Sequence, residues 1–199
     1  MKLLTDGLQL DSWLMPGHRQ KTPTLPDLAR WIAEHRPNTR VLDTGCGSGE
    51  LLRQLELAGL PRRRLFGCDI EPDHVVLARR TTGLGQIARA NFEDGNPFDL
   101  PFDVICSINW LQSDWEHEYP TRIERQPPDP DRLNKVLQAV SGTLTDGGVW
   151  CWDFHGGDAG AGFLRRLQRA GWRLCDRLTF PKDDRYPENY PIHCCEPLL

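Results

Sequence analysis

The sequence predicts an α/β fold: a doubly wound sheet of seven strands, mostly parallel with one antiparallel C-terminal strand, and helices on both faces. Three observations carry this expectation. From residue 25 onward, short apolar runs alternate with helical patterns, and such alternation requires crossovers and therefore parallel strands. The run Phe102-Asp103-Val104-Ile105-Cys106-Ser107-Ile108 is apolar nearly throughout, as a strand covered on both faces should be. The last two strand patterns are joined by the turn-rich segment 181–191 with no helix between them, which makes the final strand antiparallel.

The elements follow in order. Residues 1–24 read as an irregular N-terminal arm, a possible substrate lid, ahead of a 25–199 core, all one domain. A helix is expected over Leu25–His35: Pro26 and Asp27 suit a first turn, Leu28, Trp31 and Ile32 share a face, and Pro37 stops it. Strand one is Arg40–Thr44, followed by a helix over Gly49–Ala58 that Gly59 and Pro61 end. Strand two is Arg64–Cys68 closing on Asp69, then a helix from Pro72 to Arg80 and strand three over Gln86–Ala90. Strand four is Phe102–Ile108. A polar stretch, 112–130, leads into a helix over Asp131–Leu144. Gly147-Gly148 form a turn before strand five, Val149–Asp153, whose Trp150 and Trp152 belong to the core. A short helix over Ala161–Ala170, strand six over Trp172–Phe180 and a last strand over Ile192–Cys195 complete the chain.

With 199 residues, 39% hydrophobic and 26% charged, the chain has the composition of a soluble globular domain. No apolar run reaches the length of a membrane span, and no signal-peptide core follows Met1-Lys2-Leu3-Leu4, so a cytoplasmic location is expected. A net charge of −4 offers no footprint for DNA or RNA. The seven cysteines are odd in number and lie mostly in strand-like runs without metal-ligand spacing; they read as small hydrophobes in a reducing compartment.

Function is written most densely in Val41-Leu42-Asp43-Thr44-Gly45-Cys46-Gly47-Ser48-Gly49-Glu50. A strand that ends on an acid and enters a glycine-rich turn before a helix can bring backbone close to a ligand. A dinucleotide fingerprint would need its third glycine at position 50, where this chain has Glu50. The spacing is instead G-x-G-x-G behind an acid.

That loop resembles motif I of the class I S-adenosylmethionine-dependent methyltransferases, whose fold is Rossmann-like. The resemblance extends over roughly residues 25–199. It implies that Asp43, Gly45, Cys46, Gly47 and Gly49 cradle the methionine part of S-adenosylmethionine. It further implies that Asp69, in Phe66-Gly67-Cys68-Asp69-Ile70-Glu71-Pro72, grips both ribose hydroxyls, a task suited to a carboxylate. Ile70 stands beside it. Ala90-Asn91-Phe92-Glu93 matches the adenine position, with Asn91 in place of the commoner aspartate. Asn109, in Ser107-Ile108-Asn109-Trp110, falls near the sulfonium, and Thr143-Leu144-Thr145-Asp146-Gly147-Gly148 resembles the family's turn before strand five.

The resemblance implies methyl transfer to an oxygen or nitrogen by in-line displacement, with a small molecule as the expected acceptor. His155, between Asp153-Phe154 and Gly156-Gly157, is the first candidate for a general base and His117 the second. Trp110, Trp115, Tyr119 and His18 are expected to line the acceptor site, with Asp114, Glu116 and Glu118 nearby. No N-P-P-Y motif follows strand four, and Arg62-Arg63-Arg64 lies at the wrong end of strand two to meet a nucleic acid at the site. Neither metal, membrane nor nucleic acid is expected as a partner. Two other readings stay open: a nicotinamide-dependent oxidoreductase, and a cofactor-binding protein without catalysis.

Overall fold

The computed structural model describes residues 25–108, 130–153, 164–180 and 190–197. Among them, helices α1 (Leu25–His35), α2 (Glu50–Leu57), α3 (Pro72–Thr82) and α4 (Pro130–Ser141) alternate with strands, and a further helical turn and a half, α5, covers 164–169. The strands are β1 (Val41–Thr44), β2 (Leu65–Asp69), β3 (Ile87–Arg89), β4 (Phe102–Ser107), β5 (Leu144–Asp153), β6 (Trp172–Phe180) and β7 (Tyr190–Pro197). They form one seven-stranded sheet in the order β3-β2-β1-β4-β5-β7-β6. Every pair from β3 to β5 is parallel, and β7 is antiparallel to both β5 and β6. The expected class and the single reversed strand are therefore both present.

The sheet carries apolar layers on both faces. On one, α1 buries Leu25, Leu28, Ala29 and Ile32, a spacing of three and four that marks one helix face. Leu51, Leu52 and Leu55 of α2 and Val75 and Ala78 of α3 join the same cluster. On the other, α4 contributes Leu133, Val136, Ala139 and Val140, and Leu167 of α5 joins them with Trp150, Trp152 and Trp172. The crossover from β3 to β4 contains no α-helix; residues 90–101 make only a 3-10 turn at Phe92–Asp94. Phe98 from this crossover packs edge-on against Phe66 and Phe102, with ring centroids 5.2 and 6.1 Å apart, and covers the sheet where a helix would lie.

Several boundaries differ from the sequence reading, each for a local reason. Helix α4 stops at Ser141 rather than Leu144, because Gly142 and Thr143 turn the chain and the Thr143 carbonyl accepts from Phe102 N–H. That pairing starts β5 at Leu144. Gly147-Gly148 do form a turn, but as a bulge inside the strand: Leu144 pairs with Phe102 and Val149 with Val104. Gly147 has φ +70°, and a Cβ on Gly148 would lie 2.9 Å from both Leu144 Cδ2 and Thr145 O, so glycine is required at both places. Asp103 braces the bulge from Thr145 Oγ1 (3.1 Å) and accepts from Arg40 N–H (2.7 Å). Helix α3 continues two residues beyond Arg80, and Gly83 ends it in the left-handed region. Strand β7 extends at both ends because β6 pairs with it from Trp172 to Phe180.

All seven cysteines are free, and six are buried. Cys106, Cys151 and Cys194 lie abreast on β4, β5 and β7 in one apolar layer. Burial first, and the nearby charge of Asp43 next, push the Cys68 thiol up to about 12, so it acts as a small hydrophobe.

At the carboxyl ends of β1, β4 and β5 a buried polar chain links the centre of the sheet. Trp150 Nε1 donates to Ser107 Oγ (2.9 Å), Ser107 and Thr44 hydroxyls meet at 2.8 Å, and Thr44 Oγ1 donates to Cys106 O (3.0 Å). With Trp150 and Thr44 committed as donors, Ser107 must give its proton to Thr44. Ser107→Ala is expected to cost about 1–3 kcal/mol, since it strands buried polar groups rather than removing them. Urea denaturation at unchanged m-value would measure the loss; a midpoint equal to that of the parent protein would refute it.

Candidate cofactor site

The parallel order places the ends of β1, β2, β3, β4 and β5 on one edge, and β1 and β4, whose connections leave to opposite faces, are neighbours there. Such a switch point opens a crevice beyond the carboxyl ends of the strands. Asp43 and Asp69 both stand on this edge.

Asp69 is the most heavily bonded group in the site. Its Oδ2 accepts from Gly47 N–H (2.8 Å), and its Oδ1 accepts from Glu71 N–H (2.9 Å) and meets His74 Nδ1 at 3.3 Å. Burial pushes its carboxyl up, but the donors from His74, Glu71 and Gly47 more than offset this and hold it below its ordinary value. Asp43 has the opposite environment. It is 4% exposed and makes no hydrogen bond to another described side chain. Burial, and then the charge of Asp69, drive its carboxyl well above the ordinary value.

The glycines divide into two kinds. Gly47, at φ +50°, has nothing within 4 Å of where a Cβ would sit, so the space before it is open. Gly49, at φ +80°, would place a Cβ 2.8 Å from Thr82 Cγ2 and 3.3 Å from Ala78, so it is needed for α2 to approach α3. The N–H groups of both are spent inside the protein, on Asp69 and on Cys46 O (2.8 Å). The loop therefore offers a ligand room and an acid more than these two donors. Gly45 also has positive φ (+67°). The thiol of Cys46 is buried under the loop, within 3.0 Å of where Gly67 would carry a Cβ, so only its backbone can face the crevice.

Ile70, 56% exposed, stands at the rim beside Asp69. Asn91 Oδ1 accepts from Glu93 N–H (3.1 Å), capping the turn at Phe92, and this commits part of the amide expected to read adenine. The Phe92 ring is in the core, and Glu93 pairs with Arg132 of α4 at 2.6 Å. His18, Asn109, Trp110, Trp115, His117, Tyr119 and His155 lie outside the described residues. His74 was missed by sequence reasoning. Its signal was its place in the first turn of the helix, five residues beyond the acid.

A cofactor with a cationic amino acid end and a ribose fits these residues: a buried acid without a described partner, an open space at Gly47, and a carboxylate held ionised at Asp69. The family model described as a methyltransferase domain matches residues 35–155, more than half the chain. No curated protein matches the chain in sequence. Solved structures of the same fold include the N-methyltransferase NodS of Bradyrhizobium japonicum WM9 in complex with S-adenosylhomocysteine: TM-score 0.65, 13% identity, 92% of this chain and 88% of that one. The ribosomal protein L11 methylase of Lactobacillus delbrueckii subsp. bulgaricus has TM-score 0.62 and 14% identity over 92% of this chain and 80% of its own. A putative RNA methyltransferase from Pyrococcus horikoshii has TM-score 0.62 and 16% identity over 90% and 87%. The chain belongs to the methyltransferase-domain family and is a class I S-adenosylmethionine-dependent methyltransferase. This decides between the two nucleotide ligands that the glycine loop left open.

Asp43→Asn is expected to match the parent protein in stability at pH below the carboxylate range and exceed it at neutral pH. The native acid holds its proton where the unfolded one loses it, so native stability falls as pH rises above the unfolded value. If Asp43 meets the cofactor's ammonium group, as the resemblance implies, the same variant should bind S-adenosylmethionine at least about tenfold more weakly by calorimetry. A variant that melts lower at neutral pH would contradict the burial argument.

Gly47→Ala and Gly49→Ala should separate function from folding. Alanine at Gly49 combines left-handed strain with overpacking and is expected to cost about 2–4 kcal/mol. Alanine at Gly47 should cost only the strain, about 1–2 kcal/mol, while reducing cofactor affinity. Equal melting points for the two would remove the distinction.

Proposed function

We propose that this enzyme methylates an oxygen or nitrogen of a small-molecule acceptor. The observation that supports the reading is the charge of the site edge: the carboxylates Asp69, Glu71 and Asp73 cluster around His74 there and outnumber Arg89, while the 3-10 turn Arg62–Arg64 precedes β2 at its opposite end. An RNA acceptor would need phosphate contacts around the crevice. The fold itself is shared by a ribosomal protein methylase and a putative RNA methyltransferase, so it does not select the acceptor.

S-adenosylmethionine supplies a methyl group already activated by a positive sulfur, so no acid is needed for the leaving group. The protein's work is to bind, orient and exclude water. In this reading Asp43 and the loop Gly45–Gly49 hold the methionine end, and Asp69 the ribose hydroxyls. Ile70, Asn91 and the backbone of Phe92 flank the nucleoside, and Asn109 stands near the sulfonium. His155, with His117 as the second choice, takes the acceptor's proton where that acceptor is an alcohol. Trp110, Trp115, Tyr119 and His18 line its pocket, and the arm 1–24 covers it, in a cytoplasmic single-domain enzyme.

Incubation with S-adenosylmethionine and fractionated cell extract tests this. S-adenosylhomocysteine release should follow the low-molecular-mass fraction; release only with the RNA or protein fraction would overturn the acceptor class. On the acceptor so found, His155→Ala should lower kcat by about 10²–10⁴-fold and remove one limb of its pH profile. An unchanged rate across pH would take His155 out of the mechanism.

A further inference from the structure

Asp69 has about four acceptor positions, two on each carboxylate oxygen. Oδ2 gives one to Gly47 N–H and keeps one open. Oδ1 gives one to Glu71 N–H at 2.9 Å and the other to His74 Nδ1 at 3.3 Å, so in the free protein it is filled. A carboxylate that takes two neighbouring ribose hydroxyls needs an open position on each oxygen. Two of the three donors are backbone N–H groups fixed by the loop and by the start of α3. Only His74 is a side chain free to leave, and with 53% of that side chain exposed it has solvent to move into.

We propose that His74 is an affinity-determining residue that occupies, in the free enzyme, the position on Asp69 Oδ1 that a ribose hydroxyl takes on binding, so that the cofactor must displace the imidazole and binds more weakly once that ring is protonated. The inference rests on Asp69 as the ribose acid. The neutral ring donates to an ionised carboxylate, whereas the imidazolium adds its own positive charge to that bond and makes it an ion pair, which a neutral hydroxyl displaces less readily. The described charges around the ring strengthen the protonated form. The hydrogen bond to Asp69 from β2 comes first and burial opposes it next; the charges of Asp69, of Glu71 before α3 and of Asp73 on α3 then add to the raising side. Asp69 acts in turn on Asp43 of β1, and Arg89 of β3 is engaged nearby on Ile70 O (3.3 Å). The ring thus titrates above its ordinary value. Stability contributed by the pair is complete below the unfolded histidine's value and disappears as pH rises through the native one. Cofactor affinity moves in the opposite sense across the same window, because binding releases the proton.

The test is calorimetric titration of the full chain with S-adenosylhomocysteine and with 5′-methylthioadenosine from about pH 5.5 to 8.5, a span centred on histidine titration. The second ligand keeps adenine and ribose but lacks the amino acid, so Asp43 cannot give it a slope. The 5′-methylthioadenosine affinity should be level at alkaline pH and fall by up to about tenfold for each pH unit below the titration of His74, the limit for one competing proton. His74→Ala, on a half-exposed helix position, should bind 5′-methylthioadenosine at every pH as tightly as the parent does at alkaline pH, and should remove the same contribution from the S-adenosylhomocysteine profile. Imidazole resonances should show His74 titrating above the ordinary histidine value in the free enzyme and no longer doing so with 5′-methylthioadenosine bound. A slope for 5′-methylthioadenosine that survives in His74→Ala, or affinity that is level in the parent, overturns the proposal. Weaker binding by His74→Ala at all pH also overturns it, making the ring a ligand rather than a competitor. Failure of S-adenosylhomocysteine to bind at any pH removes the cofactor role of Asp69, and the proposal with it.

Discussion

The hydrogen bond from Gly47 N–H to Asp69 is the constraint on which the site depends. It joins the loop after β1 to the end of the neighbouring strand, and it does so with the side chain that has most to offer a ligand. Because Asp69 also takes Glu71 N–H, the same carboxylate sets the course of the chain into α3. Loop, strand end and helix start are fixed relative to one another before any cofactor arrives. Reorganisation on binding is then limited to side chains, which reduces the ordering cost that association must overcome.

Two acids so close need different environments. Asp69 is ionised because backbone donors and His74 hold it so, and its charge in turn makes ionisation of the buried Asp43, which has no hydrogen bond to a described side chain, still harder. Neighbouring carboxyls with values driven apart in this way take different tasks. The bonded one can accept hydrogen bonds from hydroxyls without changing its charge. The other is costly to ionise until a cation arrives, so it rewards a ligand with an ammonium group and penalises a neutral one. The free enzyme is thereby less stable than an amide at Asp43 would make it, a common cost of preformed sites.

Much of this was legible in the residues. Strand β4 and the helix face of α1 were readable because burial on two faces, or on one, imposes a period on the sequence. The loop Gly45–Gly49 was readable because positive φ and close packing both demand glycine, but the sequence does not say which demand acts where. Gly47 answers to open space and Gly49 to Thr82 and Ala78, which come from a helix some 30 residues on. The start of β5 was hidden for a related reason. A glycine pair reads as a turn between elements, and only the pairing of Leu144 with Phe102 shows that the strand has already begun. His74 was hidden because its meaning lies in a single contact across a helix start, which no periodicity records.

In the proposed reading, acceptor specificity belongs to a different part of the chain from the residues that fix the cofactor. Asp43, Asp69 and the loop glycines are anchored to β1 and β2, where apolar layers on both faces and ladder bonds hold the backbone. The segments after β4 and β5 leave that scaffold at Ser107 and Asp153, and the polar chain Thr44-Ser107-Trp150 pins their point of departure. A fold built this way can exchange acceptors by changing residues beyond those two points without disturbing the ribose acid or the glycine loop. It follows that sequence similarity in the cofactor half is weak evidence about the acceptor. In the proposed reading, the residues that select the acceptor are those that follow Ser107 and Asp153.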